Sequence, residues 1–280
     1  MRWRQWRWRI LILDLQAMIF IGVSMLHLFG HRLSQIRKFP KIICGGVCLM
    51  AAQMVAAQAV PAAPAAPVQP ISPAEVLLFQ TNHLQNISKP QDLTYTYKKI
   101  ADSKPAVSDE VHVDVTKINP DGSASVSLRF LTGTRKLEIP EMEHAQGNPI
   151  LLGFLEWDIA QMQQQTGGSS NYFRRRIRLA LAGAAQVKPI TFTYKGKPLA
   201  GSEVSIQPYL NDPQHERLGK FVNKRYTFVL SDKVSGGVYQ IATAVPAGKA
   251  APAGAPAAKP QDLLRMEETL TLAKEENSKH

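Results

Sequence analysis

Between residues 111 and 130 apolar and polar side chains change places at almost every step. Val111, Val113 and Val115 alternate with His112, Asp114 and Thr116, and after Asn119-Pro120-Asp121-Gly122 the alternation resumes at Ala124, Val126, Leu128 and Phe130. A period of two gives a pleated strand one apolar face, and Pro-Asp-Gly supplies the turn, so the segment predicts an antiparallel hairpin with one side against a core. Residues 93–100 and 135–139 predict strands flanking it. Further on, residues 190–194 and 199–207 bracket the turn Lys195-Gly196-Lys197-Pro198, and residues 226–230 and 238–244 bracket Ser235-Gly236-Gly237.

The period changes between these groups of strands. Asn148-Pro149 places a capping side chain and a proline at a helix start. Leu151, Leu155, Ile159 and Met162 then repeat on one face until Gly167-Gly168 stops the helix. Ser169 or Ser170 caps a second helix whose stripe is Phe173, Ile177, Ala180, Leu181 and Ala184. Helices over about 149–166 and 170–185, set between groups of strands, predict an α+β domain. The expectation is a mainly antiparallel sheet, curved or a half-barrel, with a central helical hairpin and a further short helix over 73–85.

Two Pro/Ala-rich stretches bound this body. Residues 60–71 contain Pro-Ala-Ala-Pro-Ala-Ala-Pro and residues 246–261 are similar in composition; neither holds the large apolar residues of a core, so both read as disordered, extended tethers. The domain is therefore expected over 72–245. In residues 262–280, Leu263, Met266, Leu270 and Ala273 stand at helical spacing, which predicts a marginal C-terminal helix or tail.

Residues 1–59 read as a signal and targeting region. A basic run, residues 31–41, precedes an apolar segment, residues 42–55, and Ala57-Gln58-Ala59 supplies a small-x-small cleavage site, so export to the periplasm with cleavage near Ala59 is expected. Residues 1–24 read as an over-extended start, with Met25 as initiator; the alternatives are a true anchor at residues 10–29 or an unusually long signal. Both cysteines, Cys44 and Cys48, lie in the apolar segment and would be lost with it. The net charge of +11 is concentrated there too: residues 1–59 carry +7 and the rest only +4, which gives no basic stripe for nucleic acid.

Residues 166–178, Thr-Gly-Gly-Ser-Ser-Asn-Tyr-Phe-Arg-Arg-Arg-Ile-Arg, gather glycine, hydroxyls and arginines at a helix start, where free N–H groups attract anions. Ser169, Ser170, Arg174, Arg175, Arg176 and Arg178 are the candidate ligand or anion site. Asp158 projects onto the apolar face of the first helix, where an unpaired carboxylate is costly, so a structural Asp158–Arg176 ion pair is expected, with Arg174 the next candidate partner. Glu138, Glu141, Glu143 and His144 cluster around Pro140 without metal-ligand spacing. There is no HExxH, GxSxG or P-loop. No catalytic residue, metal site or cofactor is assigned.

The segments 147–149, 166–168, 172–178 and 226–231 (Tyr-Thr-Phe-Val-Leu-Ser) resemble uncharacterised secreted proteins of proteobacteria. That resemblance brings no activity with it. The element order of strands, helices, strands is similar to periplasmic lipoprotein-carrier-like half-barrels, which implies an open sheet closed by helices. The expected function is a periplasmic, non-enzymatic protein binding an apolar or amphiphilic ligand, a lipid among them, or an envelope partner. The alternatives are an envelope assembly or structural factor that meets an anionic polymer through the arginines, and an enzyme of unrecognised class. No nucleic-acid partner is expected, and membrane contact only through the signal segment unless residues 10–29 are an anchor.

Overall fold

The computed structural model describes residues 70–102, 104–247 and 265–278. The expected signal region (residues 1–59), almost all of the first expected tether and most of the second lie outside the described residues. Among those described, nine antiparallel strands form one open, curved sheet in an α+β arrangement.

The strands are β1 (Gln91–Ala101), β2 (Lys104–Ile118), β3 (Ala124–Phe130), β4 (Leu137–Ala145), β5 (Gln186–Tyr194), β6 (Lys197–Ile206), β7 (Arg225–Leu230), β8 (Val238–Val245) and β9 (Met266–Asn277). Their order across the sheet is β4-β3-β2-β1-β9-β8-β7-β6-β5. Strands β1 to β4 are therefore one meander and β5 to β8 another, and the sequence marks the β2–β3, β5–β6 and β7–β8 turns. The last strand joins them.

That last strand corrects the expectation of a C-terminal helix or tail. β9 pairs with β1 through Tyr97↔Leu270 and Lys99↔Glu268, and with β8 through Ile241↔Leu270 and Val245↔Met266. A separation of four residues returns to the same side of a helix and of a strand, so Met266 and Leu270 fit both periods. The strand alone also explains why Glu268 and Leu272 are buried while Thr269 and Thr271 are half-exposed. Val245↔Met266 further makes the second Pro/Ala-rich stretch the connection between two neighbouring strands, not a tether to a free tail.

Among the described residues four α-helices accompany the sheet: α1 (Pro73–Glu75), which continues as a π-helical turn (Val76–Gln80), α2 (Ile150–Thr166), α3 (Ser170–Gly183) and α4 (His215–Leu218). The chain leaves the sheet at one edge, β4, and re-enters at the other, β5, so α2 and α3 carry it from edge to edge. Asn148 starts α2: its Oδ1 accepts from Ile150 N–H (3.1 Å), and its amide donates to Tyr95 Oη (3.1 Å) and Gly236 O (2.9 Å). Gly167, at φ +70°, ends it with an N–H to Gln163 O. Ser169 Oγ caps α3 by accepting from Tyr172 N–H (3.2 Å).

The core lies between these helices and one face of the sheet. Leu93, Tyr95, Tyr97, Val111, Val113, Val126, Leu128, Tyr226 and Phe228 meet Phe154, Ile159, Met162, Phe173 and Ile177, all buried, and burying each such side chain favours folding by about 1.5–3 kcal/mol. Gly153 lets α2 approach β3, because a Cβ there would stand 2.5 Å from Leu128 Cδ2.

Candidate functional site

The polar groups sealed in the core are positioned by both layers. Asp158, from the apolar face of α2, meets Lys224 Nζ and accepts from Tyr226 Oη (2.6 Å), and Tyr226 stands 3.2 Å from Tyr209 Oη. Burial first, and the Asp158 charge second, push the hydroxyls of Tyr209 and Tyr226 well above the usual phenol range. This corrects the expected Asp158–Arg176 pair. The carboxylate does require a cation, but Lys224, arriving just ahead of β7, reaches it, while Arg176 turns to Asp212 (2.8 Å) and Pro208 O (3.3 Å). Lys99, half-buried on β1, pairs with the buried Glu268 opposite it on β9 at 2.5 Å.

The arginines around the start of α3 do not converge. Arg174 forms a fork with Glu156 of α2 (2.7 and 2.6 Å) and reaches Asn171 Oδ1 (3.0 Å). Arg175 and Arg178 are exposed on the outer side of the helix. Ser169 is spent on the helix cap, and Ser170 Oγ donates to Gln163 Oε1 (2.9 Å). Of the six candidates, Arg176 lines a groove.

That groove, of about 330 Å³, runs between α3 and the end of β6. Arg176, Leu179 and Ala180 form one wall; Ile206, Gln207 and Leu210, on β6 and the following loop, form the other, and Arg225 opens β7 beside them. Arg225 Nη2 donates to Gln207 Oε1 (3.4 Å) and has no carboxylate within 4 Å among the described residues. Leu179 and Leu210 are 51% and 47% exposed, so the groove presents apolar surface to solvent next to two guanidinium groups. Asp212, fully buried, fixes the loop: it holds Arg176 and accepts from Tyr172 Oη. Burial and that hydrogen bond push the Tyr172 hydroxyl up to about 12, so it stays a donor. The arrangement suits an anion carrying a short apolar body.

A second groove, of about 240 Å³, is lined by Leu77, Asn82, His83, Ser202, Leu230 and Asp232 among others, with no cation in its wall. His83 has both ring nitrogens engaged, with Leu77 O (2.8 Å) and Asn148 N–H (3.2 Å), which leaves no lone pair for a metal or a proton transfer. In the acidic cluster near Pro140, Glu141 accepts from Thr116 Oγ1 (2.6 Å) and His144 lies 3.8 Å from Asp121. Among the described residues no group of three His, Cys, Asp or Glu side chains is placed to hold a metal, and no helix is long and apolar enough to cross a membrane.

Sequence reasoning missed Leu210, Gln207 and Arg225. The only trace is a leucine in the turn-rich run Pro208-Tyr209-Leu210-Asn211-Asp212-Pro213, where a core residue is not expected.

No protein-family model and no curated protein matches the chain. Among solved structures, a LolA superfamily protein from Nitrosomonas europaea matches at 6% identity with a TM-score of 0.21, over 74% of this chain and 94% of that one. The Mycobacterium tuberculosis lipoprotein LppX matches at 10% identity with a TM-score of 0.29, over 75% and 99%. A DUF1329 family protein from Desulfovibrio piger matches at 7% with a TM-score of 0.25, over 76% and 95%. These are weak likenesses at the level of fold.

Proposed function

We propose that the protein is an exported, periplasmic, non-enzymatic binder of an anionic amphiphile. The ligand's charged head meets Arg225, and its apolar body lies along Leu179, Leu210 and Ile206. The observation that carries this reading is the pairing of Arg225, which lacks an acidic partner among the described residues, with two exposed leucines in one groove. Residues 1–59 serve as the export signal and residues 60–71 as a spacer between the cleavage point and the strand-rich domain. That domain runs to residue 278 because β9 completes the sheet.

An anionic-polymer partner has less support. Arg174 and Arg176 are neutralised by Glu156 and Asp212, and a polyanion needs a run of uncompensated charge.

The test uses the chain from Val60 onward, which retains the whole compact unit from Gln69 to His280. Titration with monomeric dodecyl phosphate, followed by calorimetry, should show saturable binding. Dodecanol should bind at least about tenfold more weakly, a difference of about 1.4 kcal/mol, and Arg225→Glu and Leu210→Asp should each lose at least about that much affinity. Equal binding of the alcohol, or no change in either variant, would overturn the assignment. Native mass spectrometry of protein purified from a bacterial periplasm should in addition show a bound amphiphile.

A further inference from the structure

Six large apolar side chains stand exposed among the described residues: Ile71, Val76, Ile100, Leu179, Val187 and Leu210. Five of them belong to elements that meet on one side. Leu179 and Leu210 flank the groove, and Val187, opposite the buried Val204 of β6, points to the side of the sheet that the helices cover. Ile71 precedes Ser72, whose hydroxyl donates to Leu181 O of α3 (2.9 Å), and Val76 extends the same helical segment, which packs on α3 and β5. Single exposed apolar residues call for no explanation, but a gathered set marks an interaction face.

The charge of this face is as uneven as its hydropathy. α3 carries four arginines and no acid. Its outward stripe, opposite Phe173 and Ile177, consists of Asn171, Arg175, Arg178, Leu179 and Ala182. Arg175 lies one turn before Leu179, and Arg225 stands across the groove. Asp212 is paired with Arg176, while Glu75, which accepts from the Ser72 amide (3.0 Å), leaves one negative charge beside Val76 against the exposed Arg175 and Arg225. Arginine beside leucine on the outer stripe of a helix, with isolated valine and isoleucine around it, is the composition of a surface that rests in the headgroup region of a bilayer.

We infer that this face, the outer stripe of α3 with Ile71, Val76, Val187 and Leu210, docks on an anionic phospholipid membrane. Leu179, Leu210, Val187, Val76 and Ile71 enter the boundary of the acyl chains, and Arg175 and Arg225 meet lipid phosphates. The groove then opens onto the bilayer, so an amphiphile passes between membrane and protein without crossing water. That passage rests on the groove reading; the docking does not. The contact is peripheral, made by the folded domain itself, and is independent of the apolar stretches before residue 60.

Sedimentation with vesicles tests it, using the chain from Val60 onward so that those stretches cannot contribute. Phosphatidylglycerol vesicles should carry the protein down at low salt, and phosphatidylcholine vesicles should not. Arg175→Glu combined with Val187→Glu, both outside the groove wall, should weaken the partition at least about tenfold, and Ile71→Ser should weaken it less. Unchanged circular dichroism and unchanged dodecyl phosphate affinity in these variants would show that fold and groove are intact. Failure of the wild-type protein to sediment with phosphatidylglycerol, or undiminished sedimentation of the double variant, overturns the docking. Loss of dodecyl phosphate binding by Arg225→Glu tests the groove separately, so the two ideas can fail independently.

Discussion

Asp158 and Lys224, sixty-six residues apart in the chain, meet inside the core as an ion pair whose side chains are 1% and 2% exposed, and Tyr226 donates a further hydrogen bond to the same carboxylate. The pair ties α2 to the start of β7, and so links the helices to the second meander of the sheet. Taking two charges out of water offsets most of their attraction, so the arrangement adds specificity of packing more than net stability.

Removing one partner should therefore be far worse than removing both. Lys224→Met alone leaves Asp158 buried and uncompensated, and should cost about 3–5 kcal/mol. Lys224→Met with Asp158→Leu should recover most of that loss. Urea unfolding of the single and double variants measures the coupling. Arg176→Gln should show no coupling to Asp158 beyond about 0.5 kcal/mol, and a larger value would mean that the two side chains interact after all.

His83 links the segment before β1 to the start of α2. Its Nδ1 accepts from Asn148 N–H and its Nε2 faces Leu77 O, so the ring is held neutral, and burial lowers its pKa below the ordinary 6.5. The unfolded chain therefore binds a proton first as the pH drops. The contribution of His83 is complete above pH 6.5 and is lost as the pH falls toward the folded value, with a slope of at most about 1.4 kcal/mol per pH unit. Urea midpoints measured across this range should fall in the wild type and stay flatter in His83→Gln.

The place of β9 makes opposite forecasts for two deletions that look alike in the sequence. Ending the chain at Lys259 removes a strand paired on both sides, with Leu270 and Leu272 buried, and should leave no cooperative unfolding transition. Replacing residues 248–262 by a short turn keeps β8 and β9 adjacent and shortens the closed loop, which should stabilise the fold by about 1 kcal/mol. Circular dichroism melts of the two proteins decide the matter. A folded protein from the first deletion would remove β9 from the sheet.

Two glycines should respond in opposite ways to alanine. At Gly201, on β6, a Cβ would stand 2.5 Å from Leu230 O, a backbone atom of the neighbouring strand, so Gly201→Ala should cost about 1–3 kcal/mol. At Gly183, the last residue of α3, a Cβ meets nothing within 4 Å, and Gly183→Ala should stabilise by about 0.4–1 kcal/mol through the unfolded chain. Thermal midpoints of the pair give the comparison.

The sequence by itself determined what depends on near neighbours. Alternation and turn residues define the three hairpins, and Asn148, Gly167 and Ser169 mark where α2 starts and stops and where α3 begins. The cost of burying a carboxylate also requires a cation near Asp158. Tertiary structure alone decided which cation it is, because Lys224 and Arg176 are equally charged and only the register of β7 against the helices separates them. It decided the state of residues 266–277 as well, since Met266 and Leu270 satisfy both helical and strand spacing, and the gap between β1 and β8 selects the strand. The groove is of the same kind. Arg176, Leu210 and Arg225 lie far apart in sequence, and their convergence follows from an open sheet that brings the end of β6, the start of β7 and the flank of α3 to one place.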